Sequence, residues 1–170
     1  MILQKEYFSA PATELAPKLL GKYLCRKIED KIVKYRISET ECYFGEEDSA
    51  CHAHKGRTAR TDIMYKQGGN AYVYLCYGIH NLLNITTGEE GHPEAVLIRG
   101  VGNIIGPGRV TKALSVTREL NTKPLSIESG LWIEDDGAEV IYRTDKRVGI
   151  DYAAPVDRDR PWRYILTEIK

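Results

Sequence analysis

Hydrophobic and polar positions alternate with period two from Ile32 to Tyr43, which predicts an extended segment with Val33, Tyr35, Ile37, Glu39, Glu41 and Tyr43 on one face. That face starts apolar and ends acidic, as expected of a buried strand that carries carboxylates on a rigid element to the mouth of a pocket. Upstream, Leu15, Ala16, Leu19 and Leu20 recur at helical spacing before Gly21, predicting a short helix whose early hydrogen bonding Pro17 limits. Downstream, Gln67-Gly68-Gly69-Asn70 reads as a turn, and the run Ala71 to Tyr77 is rich in strand formers and closed by Gly78. Leu82 to Thr86 and Ala95 to Val101 read as the next two strands of a meander, separated by Gly91-His92-Pro93. Gly106-Pro107-Gly108 opens a helix with Val110, Ala113 and Leu114 on one face, leaving free N–H groups at its start where an anion such as phosphate could bind. Further strands are expected around Leu131 to Ile133, Val140 to Tyr142 and Arg163 to Leu166. The elements add up to an α+β fold, a single domain over residues 1–170 with a mostly antiparallel, curved sheet and short flanking helices.

Composition narrows the function classes. No apolar run approaches the length of a membrane span, and the first residues lack the unbroken apolar stretch of a secretory signal, so an intracellular protein is expected. Cys25, Cys42, Cys51 and Cys76 have no C-x-x-C spacing, and a chain of 170 residues needs no disulfide staples, which points to reduced thiols. Twenty-four basic and 24 acidic residues cancel, so any nucleic-acid contact must come from local patches rather than bulk charge. The strongest such patch runs from His52 to Lys66, where Lys55, Arg57, Arg60 and Lys66 face the single acid Asp62.

Candidate chemistry gathers in Glu39-Thr40-Glu41-Cys42-Tyr43, His52, the tyrosines 72, 74 and 77, Asn84 and Arg99. Taken singly, a strand carboxylate is most often salt-bridged, a tyrosine in an apolar run is most often core, and Arg99 reads equally as a strand-end ion pair with a nearby glutamate. Their order and wording carry more. The segment Ser38-Glu39-Thr40-Glu41-Cys42-Tyr43 is followed by Gly45, Glu47, Asp48 and His52, by Arg57-Thr58-Ala59-Arg60-Thr61, and by Ala71-Tyr72-Val73-Tyr74-Leu75-Cys76-Tyr77-Gly78. Leu83-Asn84, Pro93 to Arg99, Gly106-Pro107-Gly108, Arg147-Val148-Gly149-Ile150 and Arg160-Pro161-Trp162-Arg163 continue the pattern. Over nearly its whole length the chain resembles the alkyladenine, or 3-methyladenine, family of DNA glycosylases.

The resemblance implies an enzyme that flips a damaged purine out of duplex DNA and hydrolyses its N-glycosidic bond, with Glu41 activating the water and no cofactor or metal. By the same resemblance Tyr43, His52 and Tyr74 hold the flipped base, and Asn84 at the pocket floor crowds the 2-amino group of guanine. Tyr77 is the wedge that enters the stack, while Arg99, Arg57, Arg60, Gly108 and Arg109 stand at the rim or on the DNA backbone. The partner is double-stranded DNA containing damaged purines, and one active site in one domain makes a monomer the simplest expectation. The chain departs from the family pattern in its short segment between Arg99 and Gly106, in Arg109 where lysine is usual, and in His80 after the wedge.

Two other readings compete. Cys51, His52 and His54, with Glu41, Glu47 and Cys42, are all potential zinc ligands of a metal-dependent hydrolase, although their spacing lacks tight ligand pairs. The tyrosines with the Lys55 to Lys66 patch would also suit a damaged-DNA binding module without catalysis. A Schiff-base lyase lacks a lysine near the motif residues.

Overall fold

The computed structural model describes residues Met1–Lys170. Its strands are β1 (Tyr23–Ile28), β2 (Lys31–Phe44), β3 (Ala71–Cys76), β4 (His80–Thr87), β5 (Glu94–Val101), β6 (Ile104–Ile105), β7 (Leu131–Glu134), β8 (Val140–Asp145) and β9 (Arg163–Ile169). Three short helices accompany them: α1 (Ala12–Lys18), α2 (Pro107–Ala113) and α3 (Pro155–Arg158). All strands join one curved antiparallel sheet with the order β3-β4-β5-β2-β1-β7, with β6 on β5 and the β8–β9 pair attached through β9 to β2. The expected α+β class and antiparallel meander are therefore what the chain forms. No helix is long and apolar enough to cross a membrane.

β2 is the spine of the sheet. Its first half pairs with β1, and its second half lies between β5 and β9, so Glu39, Thr40 and Glu41 have strand neighbours on both sides. Here the single-face expectation needs correcting. Val33, Tyr35 and Ile37 pack on the main core, but beyond Ile37 the core side passes to Thr40 and Cys42, leaving Glu39, Glu41 and Tyr43 on the opposite face. The cause is a register irregularity against β5 between Ile37 and Thr40. A perfect period of two would have driven both carboxylates into the same apolar layer as Ile37, and a bulge is the usual device for re-aiming side chains beside a site.

The main core fills the space between this sheet and α1 and α2, with Phe8, Leu15, Leu19, Ile37, Leu83 and Ile98 among its fully buried members. Helix α1 starts earlier than its apolar spacing suggested. The Ala12 N–H donates to Glu94 Oε1 at 2.6 Å, so a buried carboxylate from β5 caps the helix, and Pro17 sits inside it. Pro17 withholds one backbone donor from the helix, which ends one residue later. Strand β1 had no alternating signal of its own in Tyr23 to Ile28; its pairing with β2 and β7 imposes the conformation. Strand β8 is longer than expected and largely exposed, and α3 and β6 carried no pattern that announced them.

Candidate active site

A second, smaller apolar cluster forms on the other side of the meander from Cys51, Ala53, Ile63, Met64, Tyr65, Tyr72 and Ala95. It backs a cleft of about 670 Å³, large enough for a purine nucleotide, whose aromatic walls are Tyr43, His52, Tyr72, Tyr74 and Tyr152. Of the expected site residues, Tyr43, His52, Tyr74, Asn84, Tyr77, Arg99, Gly108 and Arg109 all line it. Three do not. Arg57 is tied on the surface to Asp62 at 2.7 Å, Arg60 stands over the Tyr74 ring, and Glu41 is fully buried.

Glu41 exposes none of its surface. Its Oε1 accepts the Tyr43 hydroxyl at 2.8 Å, its Oε2 accepts the Val148 N–H at 2.7 Å, and Arg99 Nε stands 3.8 Å away. Burial pushes the carboxyl above its ordinary range, opposed by Arg99, by these two hydrogen bonds and by Arg147. The desolvated carboxylate is thus a stronger proton acceptor than one in water, and each oxygen retains a lone pair for another donor. Arg99 is an ion-pair partner, reaching Glu39 at 3.4 Å as well, and Arg163 holds the other Glu39 oxygen at 2.8 Å.

His52 donates to or accepts from the Tyr72 hydroxyl through Nδ1 at 2.9 Å and meets Tyr74 edge-on at a centroid distance of 4.5 Å. Burial, with help from the Arg60 charge, lowers its pKa to about 4, so the imidazole is neutral at physiological pH. Asn84 is buried between β3 and β5, its amide donating to the Tyr72 carbonyl at 3.3 Å, which fixes the side chain at the pocket floor. Gly108 is there for space: a Cβ would run into the His80 ring, so only glycine lets α2 pack this closely on β4. Helix α2 opens at the cleft with Pro107, Gly108 and Arg109, and no side chain caps its first turn.

Tyr77 and Gly78 form the tip of the β3–β4 hairpin. Both have positive φ, +52° and +68°, and the Ile79 N–H donates to the Cys76 carbonyl, the pattern of a type I′ turn. Such turns favour Asn or Gly at the position Tyr77 occupies, so the backbone is strained to hold an aromatic ring there, 89% exposed.

The largest omission from sequence reasoning is the segment after β8. Arg147 is fully buried against Asp48, at 2.6 and 3.0 Å, and also donates to the carbonyls of Cys42 and Asp157. Its guanidinium stacks 5.0 Å from the centroids of both Tyr43 and Trp162. This anchor delivers the Val148 N–H to Glu41, and Val148, Gly149, Ile150 and Tyr152 to the cleft. The Arg147-Val148-Gly149-Ile150 motif was visible, but nothing in its residue types indicated a role. The proposed zinc ligands, by contrast, do not converge: no three His, Cys, Asp or Glu side chains are grouped to hold a metal ion.

A family model described as methylpurine-DNA glycosylase matches residues 6–105 and 102–170. The chain belongs to the methylpurine-DNA glycosylase family. Relatives bearing the provisional name 3-methyladenine DNA glycosylase span almost the same length. The Psychrobacter cryohalolentis protein is 41% identical over 98% of this chain and 92% of its own. Those of Methanocella arvoryzae and Rickettsia felis are 40% and 38% identical, covering 96% and 99% of this chain and 91% and 95% of their own. Family membership gives the cleft its context, since its walls are built from the stretches that carry the resemblance.

Two measurements test this geometry. Asp48→Asn leaves a buried guanidinium short of its counter-charge and should lower unfolding free energy by about 3–5 kcal/mol in urea titrations; a loss below about 1 kcal/mol would show that the pair does not anchor the segment. In NMR titrations the His52 ring should stay neutral through pH 6.5 and protonate near 4. Because the unfolded chain then binds a proton the folded one refuses, stability should fall as pH drops across that interval.

Proposed function

We propose that this protein is a base-excision repair glycosylase that hydrolyses the N-glycosidic bond of alkylated or deaminated purines flipped from duplex DNA. The observation that carries the reading is the desolvated Glu41 carboxylate held against the wall of an aromatic cleft of purine size, in a chain of this family. As C1′ develops oxocarbenium character, the negative charge of Glu41 favours it, and the same carboxylate takes a proton from the attacking water. The C1′–N bond breaks with its electron pair going to the base, the water oxygen bonds C1′, and an abasic site remains. A purine alkylated at N3 or N7 leaves as a neutral molecule, whereas hypoxanthine must acquire a proton on leaving. Glu41 has no exposed surface in the free protein, so the water enters with the nucleotide, between Glu41, Arg99 and Val148.

Flipping costs a few kcal/mol of unpairing and unstacking. Tyr77, on its exposed hairpin tip, fills the vacated stack, and Tyr43, His52 and Tyr74 hold the base at about 1–3 kcal/mol per stack. A neutral His52 adds no repulsion toward a cationic alkylpurine. Asn84, fixed by its hydrogen bond, presses on the 2-amino position of guanine and rejects the normal base.

Release of free methylpurine from methylated duplex should survive EDTA and fall at least about a hundredfold in Glu41→Gln, the scale of a lost general base. Activity should rise with pH along a limb displaced above the ordinary carboxylate range, because only ionised Glu41 is a base and burial raises its pKa. Base release equal to wild type in Glu41→Gln would overturn the mechanism, and loss with EDTA would overturn its metal independence. Tyr77→Asn should relieve the left-handed strain and stabilise the fold by about 1 kcal/mol while weakening binding to lesion-containing duplex. A variant that is no more stable, or binds as tightly, would contradict one half or the other of that account.

A further inference from the structure

The stretch from Arg57 to Lys66 contains three cations near the cleft, and two of them are spoken for. Arg57 and Lys66 both face Asp62, at 2.7 and 3.8 Å. Arg60 has no carboxylate within salt-bridge distance, and its guanidinium carbon lies 5.1 Å from the centroid of the Tyr74 ring. Tyr74 lines the cleft and the solvent-exposed Arg60 does not, so its charge acts on the cleft through the ring rather than from within. It is close enough to be felt there, lowering the pKa of His52 and opposing the upward shifts of Tyr72 and Tyr74.

We infer that Arg60 is a specificity-determining residue that levels the cleft between cationic and neutral purines. The inference rests on the glycosylase reading for its substrate class. Two effects act in the same direction. The guanidinium draws the Tyr74 π-electrons toward itself, which weakens the ring's attraction for a cationic base and favours a neutral, electron-rich one. Its unpaired charge also repels a cationic base directly, attenuated by the solvent to which Arg60 is exposed. Without Arg60, an aromatic cleft with an ionised Glu41 behind it would hold positively charged bases far better than hypoxanthine. The other cations near the cleft differ in kind: Arg99 is paired with Glu39 and Glu41, Arg147 beside Tyr43 is paired with Asp48, and Arg109 lines the cleft from α2.

The test is equilibrium binding of wild type and Arg60→Gln to duplexes containing either 7-methylguanine or hypoxanthine, each on a 2′-fluoro sugar that resists cleavage. The affinity ratio, cationic over neutral, should rise on the order of fivefold in Arg60→Gln, the size expected of one partly screened charge. Arg60→Lys, which keeps the charge, should restore most of the wild-type ratio. Equal loss for both lesions, with a salt dependence reduced by about one phosphate contact, would overturn the inference and make Arg60 a DNA-backbone ligand. An unchanged ratio with no loss would overturn it too. A shifted ratio without any release of base from natural nucleotides would keep this inference and sink the hydrolytic reading instead.

Discussion

Arg147 and Asp48 form an ion pair with no access to solvent, and the cleft is organised around it. Asp48 belongs to the loop that leaves β2, and it also accepts the N–H groups of Phe44 and Ala50. Arg147 belongs to the segment that leaves β8, and it binds carbonyls of Cys42 and Asp157 and stacks on Tyr43 and Trp162. Two charges removed from water are costly unless nearly every donor and acceptor is satisfied, and here only the Arg147 Nε is left without a partner. The return for that burial is positional. The pair joins two loops remote in sequence, and the Val148 N–H arrives at Glu41 as a consequence.

The same local economy governs the charges of the site. Glu41 is desolvated yet surrounded by Arg99, Arg147 and two hydrogen-bond donors, so its charged form is made costly by burial and recovered by neighbours. His52, among aromatic rings and near Arg60, goes the other way and gives up its proton. The proposed chemistry needs both outcomes: an anion where the sugar becomes positive, and a neutral imidazole where the base is held. Backbone strain reaches the cleft as well, at the hairpin tip. Tyr77 occupies a backbone conformation unsuited to its side chain, on a hairpin whose strands are otherwise regularly paired, so the scaffold can tolerate the misfit.

Most strands were legible because each has one face in a core, and burial imposes a period of two on the residue types. The β3–β5 meander and the long β2 followed from that rule, with Gly and Pro marking the turns. β1 escaped it, as did the second half of β8, for opposite reasons. The residues of β1 hold to a strand only through its partners on both sides, and β8 is so exposed that no apolar face is required. The bulge in β2 escaped as well, since an irregularity in pairing with β5 leaves no mark on the composition of either strand.

For the site, it was the resemblance carried by the order and wording of the motifs that picked out Glu41, Tyr43, His52, Tyr74, Tyr77 and Asn84, since each residue type taken singly has a commoner structural use. Nine of the eleven residues expected there lie in β2 to β5 or in the segments that connect them, so local order along the chain already kept them near one another. What sequence alone determined was therefore the inventory of chemistry and the sheet that carries it. Tertiary structure decided on which face of β2 the carboxylates emerge, that Arg99 is an ion-pair partner, and that Arg147, some hundred residues from Glu41, completes its surroundings. Those outcomes depend on long-range pairing and on the loss of solvent around charges, and neither is a property of any segment before the chain has closed around it.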